Sequence, residues 1–217
     1  MIGRVVLREQ VKQAILERIL RGEYAPGDRL IETRIADEFG ISQAPVREAL
    51  RDLELLRFVE SEAFRGARVR TVTPEELLEI YPVRAALEEV AARAAASRLT
   101  DEDLDALDRQ IVEMSAAAEH GDVHEQAEHD AAFHRIIVEG SGNSILVDVW
   151  RSLRVEMRTL ITALKTGIDG EEIVEMHRPI LVALRARDAE GSAASIRGHF
   201  ARFAALLEAT LPKGPEQ

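Results

Sequence analysis

Asp130 and His134 stand four residues apart in Asp130-Ala-Ala-Phe-His134. On a helix that spacing puts both side chains on one face, as a two-ligand metal half-site requires. His177, in Val174-Glu-Met-His-Arg, and His199, in Arg197-Gly-His-Phe, fall on later segments that a helical bundle can bring to the same interior. Three imidazoles and one carboxylate suit a divalent transition metal, with positions left open for water or a ligand oxygen. Zinc is the first expectation, and nickel, manganese and iron also fit the donor set. Any single histidine is more ordinarily a surface residue or a satisfied core residue, so the pair by itself is weak evidence.

A second group of side chains suits nucleic acid. Gln43, Arg47 and Arg51 share one face of a segment that follows a tight turn. Arg can bind guanine bidentately, Gln can bind adenine, and either can hold a phosphate, so a helix carrying them suits the major groove. Taken singly, Arg47 and Arg51 read as solvated surface charges.

The elements that must hold these residues are legible around them. Leu7, Val11, Ile15 and Ile19 predict a first helix over about 7–20. In Leu30-Ile-Glu-Thr-Arg-Ile-Ala-Asp-Glu-Phe39 the apolar residues Ile35, Ala36 and Phe39 predict a short helix that stops at Gly40. Ser42 is placed to cap the next helix, with Pro45 in its first turn, where a missing N–H leaves no bond unmade. That helix is expected from Gln43 to about Leu56, burying the stripe Val46, Ala49, Leu50 and Leu53. Phe58-Val-Glu and Ala67-Arg-Val read as two short strands flanking a wing, with Arg65 at its tip and Gly66 free to approach a phosphate. Residues 1–72 are therefore expected to form a winged helix-turn-helix.

The boundary falls near Arg70-Thr-Val-Thr-Pro74, where Thr73, Pro74 and Glu76 give a helix start. Further start signals at Thr100, Asp122, Asn143 and Asp169 divide the rest into about six helices: 74–98, 101–120, 123–139, 144–166, 170–187 and 189–210. Short connections favour antiparallel neighbours. The fold class is mainly α, a winged helix-turn-helix followed by an antiparallel helical bundle over 73–211, with a frayed tail at 212–217.

The net charge of −11 is concentrated in the bundle. Residues 1–72 hold 13 Lys+Arg against 12 Asp+Glu, and the remainder hold 15 against 27. A near-neutral head with clustered arginines can bind phosphate, while the acidic body is held off DNA by repulsion. The chain has no cysteine, which excludes disulfides and thiolate metal sites. No apolar run approaches membrane length and the N-terminus lacks a signal-peptide core, so a cytoplasmic location is the default.

The strings Leu30-Ile-Glu-Thr-Arg-Ile-Ala-Asp, Ile41-Ser-Gln-Ala-Pro-Val-Arg-Glu-Ala-Leu50 and Phe64-Arg-Gly-Ala resemble the GntR superfamily of bacterial transcription regulators. The resemblance implies that Arg34, Gln43, Arg47 and Gly66 contact operator DNA, and Ser42, Arg51 and Arg65 complete the expected interface. The sequence departs from the family at Gln43, where Arg is more usual, and at Ala44, where Thr is common. Residues 73–210 resemble the FCD effector domain of the FadR branch. Asp130-Ala-Ala-Phe-His134 followed by Gly140-Ser-Gly-Asn143, then His177 and His199, matches its metal-binding pattern in all four ligands. His120, His124 and His129 have no counterpart there and are expected to be solvated. Arg84 and Glu88 also match family positions, and the likeness implies that an arginine there pairs with an effector carboxylate. A helix-surface ion pair between the two is the alternative. Asn143 is grouped with them, although a helix cap is its simpler role. Trp150 is expected in the core or an interface.

These readings lead to one expectation: a homodimeric repressor, not an enzyme, that binds a pseudo-palindromic operator in double-stranded DNA and answers to a small organic acid. Two alternatives stay open. An Asp/His3 site could activate water in a metal-dependent enzyme, with Glu128 or Glu139 as its base. An architectural DNA-binding protein would use the metal only to cement the bundle.

Overall fold

The computed structural model describes residues 2–55, 58–62, 66–71, 73–153, 155, 159 and 167–211. The chain separates into two compact units, Met1–Val72 and Thr73–Gln217.

The first unit runs α1 (Ile2–Leu20), β1 (Arg29–Leu30), α2 (Glu32–Phe39), α3 (Gln43–Leu55), β2 (Val59–Glu62) and β3 (Gly66–Val69). Its core joins Val11, Ile15 and Ile19 of α1 to Ile35 and Ala36 of α2 and to Val46, Ala49, Leu50 and Leu53 of α3. Each set is the apolar stripe of an amphipathic helix, so removing it from water drives the three helices together. Gly40 ends α2 in the left-handed region, φ +63°, where its N–H and that of Ile41 return to the carbonyls of Asp37 and Ala36. This αL residue turns the chain sharply into α3.

The strands form an antiparallel sheet in the order β1-β3-β2, with Leu30 opposite Ala67 and Val59 opposite Val69. β1 is not expected from the sequence, where Asp28-Arg-Leu-Ile leads into the α2 segment. Backbone bonds from Gly27 N–H to the Val69 carbonyl and from Val69 N–H to the Asp28 carbonyl hold this stretch extended beside β3. α2 consequently starts at Glu32. The arrangement is a winged helix-turn-helix.

The second unit is an all-α bundle of six helices among the described residues: α4 (Pro74–Arg98), α5 (Asp101–His120), α6 (Val123–Gly140), α7 (Ser144–Ser152), α8 (Gly170–Arg185) and α9 (Ala189–Thr210). Side-chain caps start all six. Thr73 accepts from Glu76 N–H, Thr100 and Asp103 form a capping box, and Asp122, Asn143, Asp169 and Asp188 accept from the first turns of their helices. α7 stops at Ser152, with Leu153 in a turn, where a single helix to 166 was expected; most of the remainder of that stretch lies outside the described residues, as does the tail 212–217. α8 also stops short of 187. Arg187 takes a left-handed φ of +57° while its guanidinium donates to the Ala96 and Leu99 carbonyls and pairs with Asp101.

α4 packs most extensively on α9, and it also touches α6 and α8. α6 approaches α4 closely at Gly140, where an added Cβ would stand 2.3 Å from Leu99 Cδ2. No helix among the described residues is long and apolar enough to cross a membrane.

Candidate metal centre

α6 carries Asp130 and His134 one turn apart, α8 carries His177, and α9 carries His199; all four are buried. One ligand atom from each lies within 4.8 Å of the others. His134 Nε2 is 3.2 Å from His199 Nε2, and His177 Nε2 is 3.2 Å from Asp130 Oδ1.

The far sides of the rings fix what these atoms offer. His134 Nδ1 is 2.5 Å from Glu88 Oε2, and His177 Nδ1 is 2.8 Å from the Ile173 carbonyl. Both oxygens accept, so each ring holds its proton on Nδ1 and turns an Nε2 lone pair inward. His177 Nε2 and Asp130 Oδ1, although close, are not aligned as donor and acceptor, and His177 Nε2 and His199 Nδ1 are buried without a hydrogen-bond partner among the described residues. The His177 Nε2 lone pair facing the Asp130 carboxylate in this way is relieved by a shared cation. Two donors at about 2.1 Å from one ion lie roughly 3.0–3.4 Å apart over octahedral to tetrahedral angles. Both 3.2 Å separations fall within that window, so the residues fit a divalent metal.

Electrostatics keep both buried carboxylates ionised and His199 neutral. Burial pushes the Glu88 carboxyl up, but His134, the Arg84 guanidinium and the Trp150 N–H outweigh it and bring the group down to about 2. Burial likewise opposes the Asp130 charge and is overcome by His177, His134 and His199, which hold it below the usual carboxylate range. Burial, reinforced by His177 and His134, pushes the His199 imidazole well below its ordinary value. A neutral His199 keeps a lone pair available for a metal.

A small, partly open pocket adjoins the cluster, with Asp130 and His199 in its wall beside Arg84, Gln126, Thr159, Tyr81, Phe200 and Phe203. Arg84 donates from Nε to Glu88 Oε1 at 3.1 Å and from Nη1 to Thr159 Oγ1 at 3.4 Å, and its guanidinium lies 4.6 Å from the Phe200 ring centre. Its Nη2 is buried and has no hydrogen-bond partner among the described residues. The arrangement offers metal-ligating lone pairs and an unused guanidinium N–H to one small space, a combination suited to a chelating anion.

Two family models match this chain. Residues 7–69 match the gntR family of bacterial regulatory proteins, and residues 79–202 match the FCD domain. The chain belongs to the GntR family and carries an FCD domain. It is a DNA-binding regulator of that type. A probable D-xylose utilization operon transcriptional repressor of Paenarthrobacter nicotinovorans is 34% identical over 202 residues, covering 93% of this chain and 89% of the relative. The transcriptional regulator McbR of Escherichia coli K12 is 30% identical over 190 residues, covering 86% of each chain. The solved E. coli McbR/YncC structure superposes with a TM-score of 0.78 at 27% identity, covering 94% of this chain and 97% of that one.

In this GntR/FCD chain only Arg84, of the three residues expected to touch an effector, lines the cavity. Glu88 is wholly buried, and its oxygens are taken by His134, Arg84 and Trp150, so it supports the cluster from behind. The Asn143 side-chain carbonyl accepts from Leu146 N–H at 3.1 Å and caps α7. His120 and His129 bond instead to the Ala116 carbonyl and to Gln110, and neither they nor His124 belong to the cluster. Sequence reasoning missed Gln126, Thr159 and the bond from Trp150 Nε1 to Glu88 Oε1 at 2.8 Å. Gln126 stands one turn before Asp130, so the spacing that pairs Asp130 with His134 points to it as well.

In the first unit Arg34, Ser42, Gln43, Arg47, Arg51 and Gly66 are all exposed, while Arg65 lies outside the described residues. Gly66 has φ +83°, which only glycine adopts freely. Arg47 is held by Glu32 of α2, with Nε at 3.0 Å and Nη2 at 2.8 Å from Glu32 Oε2. Arg34 Nε stands 3.9 Å from Glu38 Oε1.

Proposed function

We propose that this chain is a homodimeric repressor of the FadR branch whose residues 73–211 bind a divalent metal and a small organic acid, and whose residues 1–72 read a pseudo-palindromic operator. Asp130, His134, His177 and His199 hold the metal, zinc first among the candidates. Arg84 takes the carboxylate of the acid. Arg34, Ser42, Gln43, Arg47, Arg51, Arg65 and Gly66 form the DNA contacts. The observation that carries the effector site is Arg84 Nη2, buried without a partner among the described residues in the wall that also holds Asp130 and His199.

The effector acts by binding one arrangement of the two DNA-reading units better than another, which shifts the population towards or away from the operator-competent form. Hydroxy acids, sugar acids and dicarboxylates are the first classes to screen. Similar proteins include a probable D-xylose utilization operon repressor and a gluconate operon repressor; both support repression, and gluconate supports a sugar acid. A hydrolytic use of the metal is disfavoured because the two candidate bases face outward. Glu128 is exposed, and Glu139 pairs with Arg151 at 2.8 Å.

The test is to select duplexes from a random pool, then titrate the recovered site with a panel of such acids at matched ionic strength, with Arg47→Ala as control. Affinity should change with at least one acid and collapse in the variant. Affinity indifferent to every acid favours an architectural role, and an intact Arg47→Ala complex refutes the assignment of α3 as the reading helix.

A further inference from the structure

Among the described residues, Glu88 is the one buried carboxylate of the bundle that is neither a candidate ligand nor part of the cavity wall, and its two oxygens are divided between different elements. Oε2 faces His134 Nδ1 on α6 at 2.5 Å. Oε1 accepts from Arg84 Nε on its own helix at 3.1 Å and from Trp150 Nε1 on α7 at 2.8 Å. A single carboxylate thus touches a metal ligand, the anion-seeking arginine and a third helix that contributes nothing to the cavity lining.

We propose that Glu88 is the positioning residue of this site, fixing His134 in its ligating tautomer and transmitting the state of His134 and Arg84 to Trp150 on α7. The inference rests on the metal-binding reading of the cluster. An ionised carboxylate accepts from every direction, so it holds the proton on His134 Nδ1 and leaves Nε2 bare. Withdrawing electron density at His134 Nε2 makes Nδ1–H a stronger donor. Carboxylate charge is then drawn towards Oε2 and away from Oε1, where the indole N–H is bound. An anion that engages Arg84 Nη2 acts on the same oxygen through Arg84 Nε. α7 therefore senses both halves of the site through one group, without a contact of its own to either ligand.

The chain has a single tryptophan, so the coupling has a direct optical readout. Zinc is titrated into metal-free full-length protein and into Glu88→Gln, following Trp150 emission alongside bound metal by elemental analysis. An amide cannot accept from His134 on one side and from Arg84 and Trp150 on the other. Glu88→Gln should therefore bind zinc roughly 10- to 100-fold more weakly, and its emission should stay unchanged at saturating zinc, whereas wild-type emission moves in step with the first equivalent. Zinc affinity equal to wild type in Glu88→Gln, or wild-type emission that ignores bound zinc, overturns the proposal while leaving the metal site intact. Wild-type protein that takes up no zinc overturns both. If Glu88→Gln does not fold, spectra of wild-type protein with 15N-labelled histidine decide. A proton on His134 Nδ1 in the metal-free protein supports the role, and a proton on Nε2 refutes it.

Discussion

Replacing Arg84 by alanine should cost far more than the loss of a surface pair, because both partners of the Arg84–Glu88 bridge are inside the bundle, 4% and 0% exposed. An exposed i,i+4 pair contributes about 0.3–0.5 kcal/mol. Removing one member of a buried pair instead strands the other charge, at about 3–5 kcal/mol. Glu88 keeps two donors, His134 and Trp150, so the lower half of that range is the better expectation. At about 2–4 °C per kcal/mol for a unit of this size, the melting temperature should fall by roughly 6–16 °C. Trp150 lies in the second unit and is the only tryptophan, so thermal unfolding followed by its emission reports that unit alone. Arg84→Lys separates the two roles of the residue. It keeps the charge beside Glu88 and should recover most of the stability, but it loses the planar fork needed to grip a carboxylate. A fall of less than about 1 kcal/mol in Arg84→Ala would refute the argument, since Glu88 would then be compensated without the guanidinium.

Protein purified without chelator should carry close to one metal per chain, and Asp130→Ala and His134→Ala should each lose it; a metal-free wild type that takes none up on addition would reduce the histidines to packing. Gly140→Ala should destabilise the second unit, because the new Cβ would stand 2.3 Å from Leu99 Cδ2. Overpacking of this kind costs about 1–3 kcal/mol, offset in part by about 1 kcal/mol of helix propensity. Leu99→Ala in the same chain removes the clash, so chemical denaturation of the two single variants and the double variant should show strong non-additivity; simple additivity would mean that α6 and α4 do not meet there.

The ligand cluster was legible because half of it is local: Asp130 and His134 share a helix face by spacing alone. His177 and His199 needed the bundle to bring them in, and the sequence carries that only as a succession of capped amphipathic helices. Glu88 was grouped with the effector contacts, with a surface pair to Arg84 as the alternative, and it sits in neither place: the pair forms, but inside the bundle and away from the cavity wall. Four residues after an arginine, a glutamate has the spacing of a solvated surface pair, and burial is a tertiary property that this spacing does not encode. β1 escaped notice because a two-residue strand has no periodicity, and its extended backbone is imposed by β3. The end of α7 at Ser152 lies in a stretch whose apolar pattern continues past the turn at Leu153.

The bond between Arg47 and Glu32 changes what DNA recognition by α3 would measure. An arginine that reaches the duplex from bulk water gains an anion; this one exchanges one anion for another. On the proposed docking, a lone phosphate offers Arg47 little that the carboxylate does not already supply, so that encounter is close to neutral. A guanine edge presents two acceptors in the spacing of the guanidinium fork and can replace both bonds at once. Glu32 would thus subtract from every complex alike, and only the correct base would restore what was given up, so the pair trades tightness for discrimination.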